Sequence, residues 1–313
     1  QIIYNFTSNL INFNKNNMRI FDCFMYYNED VILNLRLNYL NKFVDYFIIV
    51  ESTFNHRGER KSLNFDIKKF QEFKSKIKYL VLDNQPKNID PIKENDTEKE
   101  KTIKYILNGY KRDHFQRNYI IEGLREAEAN DMIIISDIDE IPNLEQINIK
   151  NIKNKLILFN QKMCYYKFNL YQKDYIWVGT RACLKKNLIS PQWLRDIKAR
   201  SYPIWRIDSF FSKKKYNDIF FVKDGGWHFS YLNTPQLIEE KLKSYTHHRE
   251  YDLNPIGVAN IEKRIKNRES VYNLCVDQRK NQFSKGVKLE ILKLDELPEY
   301  IINNKDKFKN KLK

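Results

Sequence analysis

Apolar residues fall in short blocks, and the spacing within the blocks changes along the chain. Arg19-Ile20-Phe21-Asp22-Cys23-Phe24-Met25 reads as a first strand carrying one aspartate. Asn28-Glu29-Asp30 then supplies residues that cap a helix. Ile32, Leu33, Leu35, Leu37, Leu40 and Phe43 follow at near-helical spacing, with Arg36 on the same helix. Val44 to Val50 reads as a second strand, ending in Glu51-Ser52-Thr53. Residues 65–76 suit a short helix and 77–82 a third strand, while 84–102, with Pro86 and Pro91, suits a long loop. Thr102 to Ala129 reads as helical, with Asp113, Gln116, Arg117, Ile120 and Leu124 on one face. Met132-Ile133-Ile134-Ile135 is apolar throughout, as expected of a strand buried on both faces, and Pro142 must end any strand there.

Further on, 152–159 and 162–168 both have strand character and are expected to form a hairpin, with 175–184 as another strand. Trp193, Trp205, Arg200 and Arg206 mark an aromatic and basic segment. Pro235 opens a helix running to about Ser244, 255–269 is basic, and Val271 to Phe283 and Val287 to Leu297 close the chain. The βαβ character of 19–142 followed by mixed β structure predicts an α/β fold with a mixed central sheet. Its expected parts are a nucleotide-binding half (18–145), an acceptor half (146–250) and a helical or mixed part (251–297). Residues 1–17 are expected to be a flexible extension and 298–313 a basic tail that frays or lies on the surface.

Composition narrows the function classes. With 313 residues and 42% hydrophobic content, the chain can bury a substantial core. The net charge of +15 is spread along the chain and fits a phosphate-bearing substrate or peripheral contact with an anionic membrane. No nucleic-acid-binding signature accompanies it, so a nucleic-acid partner is not expected. Cys23, Cys164, Cys183 and Cys275 are widely spaced and read as buried free thiols. No run approaches about 18 apolar residues and no signal peptide is seen, which gives the expectation of a cytoplasmic protein.

The candidate chemistry begins at Ser136-Asp137-Ile138-Asp139-Glu140, where the buried run ends in three carboxylates. Open α/β sheets bind ligands at such carboxyl ends. Asp137 and Asp139 can converge on a hard cation, Mn2+ or Mg2+, and His228 after Gly225-Gly226-Trp227 can supply a third ligand. A solvated acidic loop and a structural histidine are the plainer alternatives. Arg57 and Lys61, in a basic loop after the second strand, together with Arg117 and Lys241, are candidates to hold phosphates. Asp22, Arg36 and Glu51 suit either a nucleoside pocket or a buried network.

Several stretches, in order, resemble glycosyltransferase family 17, the family of the β-1,4-mannosyl-glycoprotein β-1,4-N-acetylglucosaminyltransferase. They are Asp22-Cys23-Phe24 with Asn28-Glu29, Leu35-Arg36-Leu37, and Val44-Asp45-Tyr46-Phe47-Ile48-Ile49-Val50-Glu51-Ser52. Phe54, Gly58, Lys61 and Phe65 follow, then Arg112, Gln116 and Arg117 ahead of Gly123-Leu124. Ser136-Asp137-Ile138-Asp139-Glu140-Ile141-Pro142 and Gly226-Trp227-His228-Phe229-Ser230 complete the set, which covers about 19–250. The resemblance implies a GT-A-like fold, a D-x-D motif at Asp137 and Asp139, a UDP-sugar donor, expected to be UDP-GlcNAc, and transfer with inversion. The family's Golgi anchor is not seen, which points to a surface polysaccharide or lipopolysaccharide as acceptor. Inversion requires a general base, for which Asp224, Glu140 and Glu51 are the candidates in that order. Rival readings are a metal-dependent phospho- or nucleotidyltransferase and a non-enzymatic glycan- or nucleic-acid-binding protein.

Overall fold

A computed structural model describes residues 18–202, 212–246, 248–274, 283 and 285–313. The expected extension at residues 1–17 and Trp205, Arg206 and Cys275 lie outside the described residues. The first strand is β1 (Ile20–Met25), followed by α1 (Asp30–Leu40), β2 (Tyr46–Ser52) and β3 (Ile77–Leu82). The long helix α2 (Glu98–Asn118) leads through a 3-10 turn at Tyr119–Leu124 into β4 (Met132–Ile135) and the short β5 (Glu140–Pro142). Then come β6 (Leu156–Tyr165), β7 (Leu170–Leu184), α3 (Pro191–Asp196), β8 (Ile219–Val222) and β9 (Gly226–Ser230). The helices α4 (Pro235–Ser244), α5 (His248–Leu253) and α6 (Val258–Asn267) precede β10 (Glu290–Ile291), α7 (Glu299–Asn303) and α8 (Lys305–Phe308).

One mixed sheet runs β3-β2-β1-β4-β7-β6-β9-β5, with β8 attached to β6 and β10 to β7. The strands β1 to β4 pair in parallel, and β7 then joins β4 antiparallel. This is the GT-A-like α/β arrangement. The two expected halves share the sheet, because β7 from the second half lies directly against β4 from the first.

Alternation along the parallel strands builds two apolar layers. Met132 and Ile134 face α1 residues such as Leu33, Leu37 and Leu40, while Ile133 and Ile135 face Ile120, Leu124, Trp193 and Leu194. With both faces covered, β4 is buried throughout, as its all-apolar sequence requires.

Four local expectations need correction. The two strands expected in 152–168 are one, β6, whose hairpin partner is β7. The polar break at Asn160-Gln161 does not turn the chain, because buried Gln161 donates to Thr180 Oγ1 and accepts from Thr180 N, both at 3.1 Å. Helix α1 starts without a side-chain cap, since Glu29 accepts from the backbone of Tyr27 and Asn28 instead. The region expected to be helical from 102 to 129 begins earlier, at the Thr97–Glu100 capping box, and leaves the α conformation at Tyr119. The basic tail does not fray. Ile301 and Phe308 are buried in the core, Phe308 meets Phe168 edge-on, and Lys311 O accepts from Phe168 N. Apolar residues spaced between the lysines carry that docking.

Pro142 sits in the ladder opposite Gly226, which a proline tolerates because β5 closes one end of the strand order. Gly226 itself has φ 125, open to glycine alone among common residues. Cys23, Cys164 and Cys183 are buried and free. Among the described residues no helix is long and apolar enough to cross a membrane.

Candidate active site

The carboxyl ends of β1, β2 and β4 open onto one cavity of about 350 Å³. The turn after β4 forms part of its wall, and a buried ion pair shapes that turn. Arg36 and Asp22, both fully buried, pair through two bonds of 2.7 and 2.6 Å. From there Arg36 Nη1 donates to the carbonyls of Asp137, Ile138 and Glu140 at 3.1, 3.1 and 2.8 Å, and Nη2 donates to Ser136 Oγ. One guanidinium thus fixes the backbone that carries the acids. Asp22 and Arg36 form a buried network rather than a cavity wall.

The acids then diverge. Asp137 accepts from Arg117 at 3.1 Å and from Arg195 at 2.9 Å, one on each oxygen. Burial pushes its carboxyl up, but Arg195 and Arg117 outweigh burial and hold it below the usual range. Arg117 is held in turn by both oxygens of Asp113, at 2.7 and 3.0 Å. Glu140 is fully buried, pairs with Arg195 at 2.7 and 2.9 Å, and accepts from Trp177 Nε1 at 2.7 Å and from Asp137 N at 2.9 Å. Gly179 lets Glu140 and Trp177 approach, because a side chain there would collide with both.

Asp139 faces the other way. Its Oδ1 lies 3.4 Å from His228 Nε2, and its Oδ2 lies 3.5 Å from Lys241 Nζ, which also reaches Glu29 at 3.1 Å. The β5–β9 ladder sets this up by placing Glu140 opposite His228, and Phe229 N donates to Asp139 O. Burial raises the Asp139 carboxyl, but Lys241 and His228 together hold it well below the usual range. For His228 burial works against the charged form, while Asp139 raises the pKa overall. The imidazole lies 4.8 Å from the Trp177 ring, and its buried Nδ1 has no hydrogen-bond partner among the described residues.

The three expected metal ligands do not gather. Among the described residues no group of three His, Cys, Asp or Glu side chains is arranged to hold a metal ion. Asp137 has both oxygens committed to arginines, so it is poorly placed as a direct ligand. Asp139 and His228 are different: an oxygen and a ring nitrogen face each other on the cavity wall, which fits two ligands of a divalent ion whose other positions a diphosphate would fill.

The remaining candidates separate cleanly. Lys61, Arg117 and Lys241 line the cavity. Arg57 turns away, to Asp252 at 3.1 Å and the Lys243 carbonyl at 3.3 Å. Fully buried Glu51 accepts from Lys61, Asn64 N, Phe65 N and Tyr79 Oη, so it anchors the 61–65 loop and has no oxygen left for a base. Asp224 lies exposed, with φ 48, before the start of β9, whereas the cavity adjoins the middle and far end of that strand at His228 and Ser230. The fold therefore separates Asp224 from the cavity. Sequence reasoning missed Arg195, Trp177, Asp113 and Glu29. The β4–β7 pairing and the packing of α3 on β7 bring Trp177 and Arg195 to the acids, and no local motif marks either.

The profile of glycosyltransferase family 17 matches residues 8–313, nearly the whole chain. The chain belongs to glycosyltransferase family 17. It is therefore a glycosyltransferase, of the N-acetylglucosaminyltransferase-like kind. The family match reaches well past the 19–250 stretch in which the resemblance is legible, and takes in the docked C-terminal helices. No curated protein matches the chain. For a family 17 enzyme, the paired acids and cations on one cavity wall are the natural place to look for donor chemistry.

Proposed function

We propose that the enzyme transfers N-acetylglucosamine from UDP-GlcNAc to a glycan or polysaccharide acceptor with help from Mn2+ or Mg2+; inversion rests on the family resemblance alone, since Asp224 lies away from the cavity and the oxygens of Glu51 and Glu140 are taken. The observation that carries this reading is the Asp139–His228 pair beside Lys241 at the carboxyl edge of the sheet. A divalent ion held by Asp139 and His228 would stabilise the departing diphosphate as a Lewis acid. Lys241, Arg117 and Lys61 supply fixed positive charge along the same wall, preorganised for a phosphate-bearing leaving group. Asp137 acts through its arginines: paired to Arg117 and Arg195, it holds both cations in place. Glu140 positions Arg195 and Trp177, and its double pairing makes it a poor base.

The test is product analysis with UDP-GlcNAc and a mixed glycan acceptor. UDP release that needs Mn2+ or Mg2+, with a new linkage of inverted anomeric configuration by NMR, would support the reading. Asp139→Ala and His228→Ala should each raise the metal concentration needed for half activity. Unchanged metal dependence in both variants would remove the assigned ligands, and a product of retained configuration would remove the inverting mechanism.

A further inference from the structure

Two smaller hollows lie near the cavity. A pocket of about 90 Å³ shares Glu29, Asp139, Tyr231 and Lys241 with the cavity, so the Glu29–Lys241–Asp139 ion pairs form their common wall. Asn233 lines this pocket and also a third hollow of about 290 Å³. Shared lining residues thus make the second pocket a neighbour of both the cavity and the third hollow. Helix α4 links the two: Lys241 lies at the cavity and Pro235 at the third hollow, six residues and about 9 Å apart.

The third hollow is basic. Lys167 comes from the β6–β7 turn, Lys266 from α6 and Lys311 from the docked C-terminal segment. Lys167 donates to the Asn310 carbonyl and Lys311 to the Leu232 carbonyl at 2.7 Å, both neutral acceptors. The acid among the described lining residues is Glu262, which is exposed. Burial lowers the pKa of Lys167 and Lys311, and the neighbouring positive charges, Lys313 beside Lys167 and Lys167 beside Lys311, lower them further. Lys266 is exposed like Glu262, and Lys167 and Lys311 are partly buried, so the like charges meet at an open hollow, where they are unfavourable until an anion joins them. A concave site suits a small anionic substituent better than it suits a flat lipid surface.

We propose that the acceptor is an acidic glycan, whose carboxylate or phosphate substituent sits among Lys167, Lys266 and Lys311 while its reacting hydroxyl lies in the cavity near Asp139. This rests on the glycosyltransferase reading above. It makes the basic hollow an acceptor subsite, and it places the docked C-terminal segment in substrate selection through Lys311.

The full-length protein can be tested by calorimetry with three oligosaccharides of one backbone: neutral, uronate-bearing and phosphorylated. The acidic forms should bind about tenfold more tightly than the neutral one at low salt, and most of that preference should vanish at high salt. Lys167→Gln and Lys266→Gln should each remove several-fold of it, and Lys167→Arg should restore it. The stronger of the two acidic ligands identifies the anionic group. Equal binding of neutral and acidic forms, or a preference untouched by both glutamine variants, overturns the proposal. Binding to anionic lipid vesicles that depends on the same lysines, without glycan preference, overturns it in favour of a membrane contact. The thermal response to UDP with Mn2+, measured on the same samples, reports the donor side separately. If that response is present and the acid preference absent, the acceptor inference alone fails.

Discussion

Arg36 offers a way to separate folding from site geometry. Arg36→Met leaves the Asp22 carboxylate fully buried without its partner, and it strips the donor from the carbonyls of Asp137, Ile138 and Glu140. Breaking a buried pair by removing one member costs about 3–5 kcal/mol, a large part of the roughly 5–15 kcal/mol that holds a typical domain together. With a urea slope on the order of 3 kcal/mol/M for a chain of this size, the unfolding midpoint should fall by about 1–1.7 M. Adding Asp22→Leu removes the stranded charge, and replacing a whole buried pair by apolar residues is often neutral in stability. The double variant should therefore recover most of the midpoint. It should not recover ligand binding, because the turn carrying Asp137 and Asp139 still lacks its donor. Urea titration and UDP binding on the same three proteins read the two effects independently. A double variant that binds UDP as the wild type does would refute the claim that Arg36 shapes the acid turn, and a single variant within about 0.5 kcal/mol of wild type would refute the burial argument.

Two further outcomes follow from the packing and the charges. Phe308→Ala should cost about 3 kcal/mol or more by chemical denaturation, because the ring sits in the core against Phe168 and Tyr300, and a loss below about 0.5 kcal/mol would mean the C-terminal segment is not docked. Although burial pushes the Asp131 carboxyl up, its bonds from Arg19 hold it below the usual range. A depressed carboxyl adds stability in full above its unfolded pKa of about 3.9 and loses it as pH falls through the folded value. Asp131→Asn should thus be less stable by on the order of 1 kcal/mol at pH 7, with the gap to wild type closing below about pH 4. A gap that widens in acid would reverse the sign of the argument.

Much of this was legible in the chain because it depends on local pattern. The all-apolar Met132–Ile135 run, the acids that follow it and the basic loop after β2 all sit at the sheet edge where period and strand order put them. The helix opened by Pro235 ends at Ser244, as its pattern indicates. What pattern could not show was which oxygens are already taken. Glu51 and Glu140 are acids near a site by sequence, but their partners Lys61, Tyr79, Arg195 and Trp177 are set by tertiary contacts. Asp224 adjoins His228 along the chain, yet it lies before β9 begins, while the extended strand carries His228 on to the cavity. Arg195 had no signal at all, since it reaches the acids only through the β4–β7 pairing and the packing of α3 on β7. The tail misled because its lysines mask the apolar spacing of Ile301, Phe308 and Leu312.

The central claim is that Asp139, His228 and Lys241 form the donor end of a UDP-sugar transferase. The most direct measurement is the melting temperature of the purified enzyme with UDP, UDP-GlcNAc and other nucleotides, each with and without Mn2+. A ligand at a hundredfold excess over its dissociation constant stabilises by about 2.7 kcal/mol, which is a shift of several degrees for a chain of this size. The account predicts such a shift for the uridine compounds, strong with Mn2+ and lost in Asp139→Ala. A flat response to every uridine compound, or an equal shift without metal in both proteins, would contradict it.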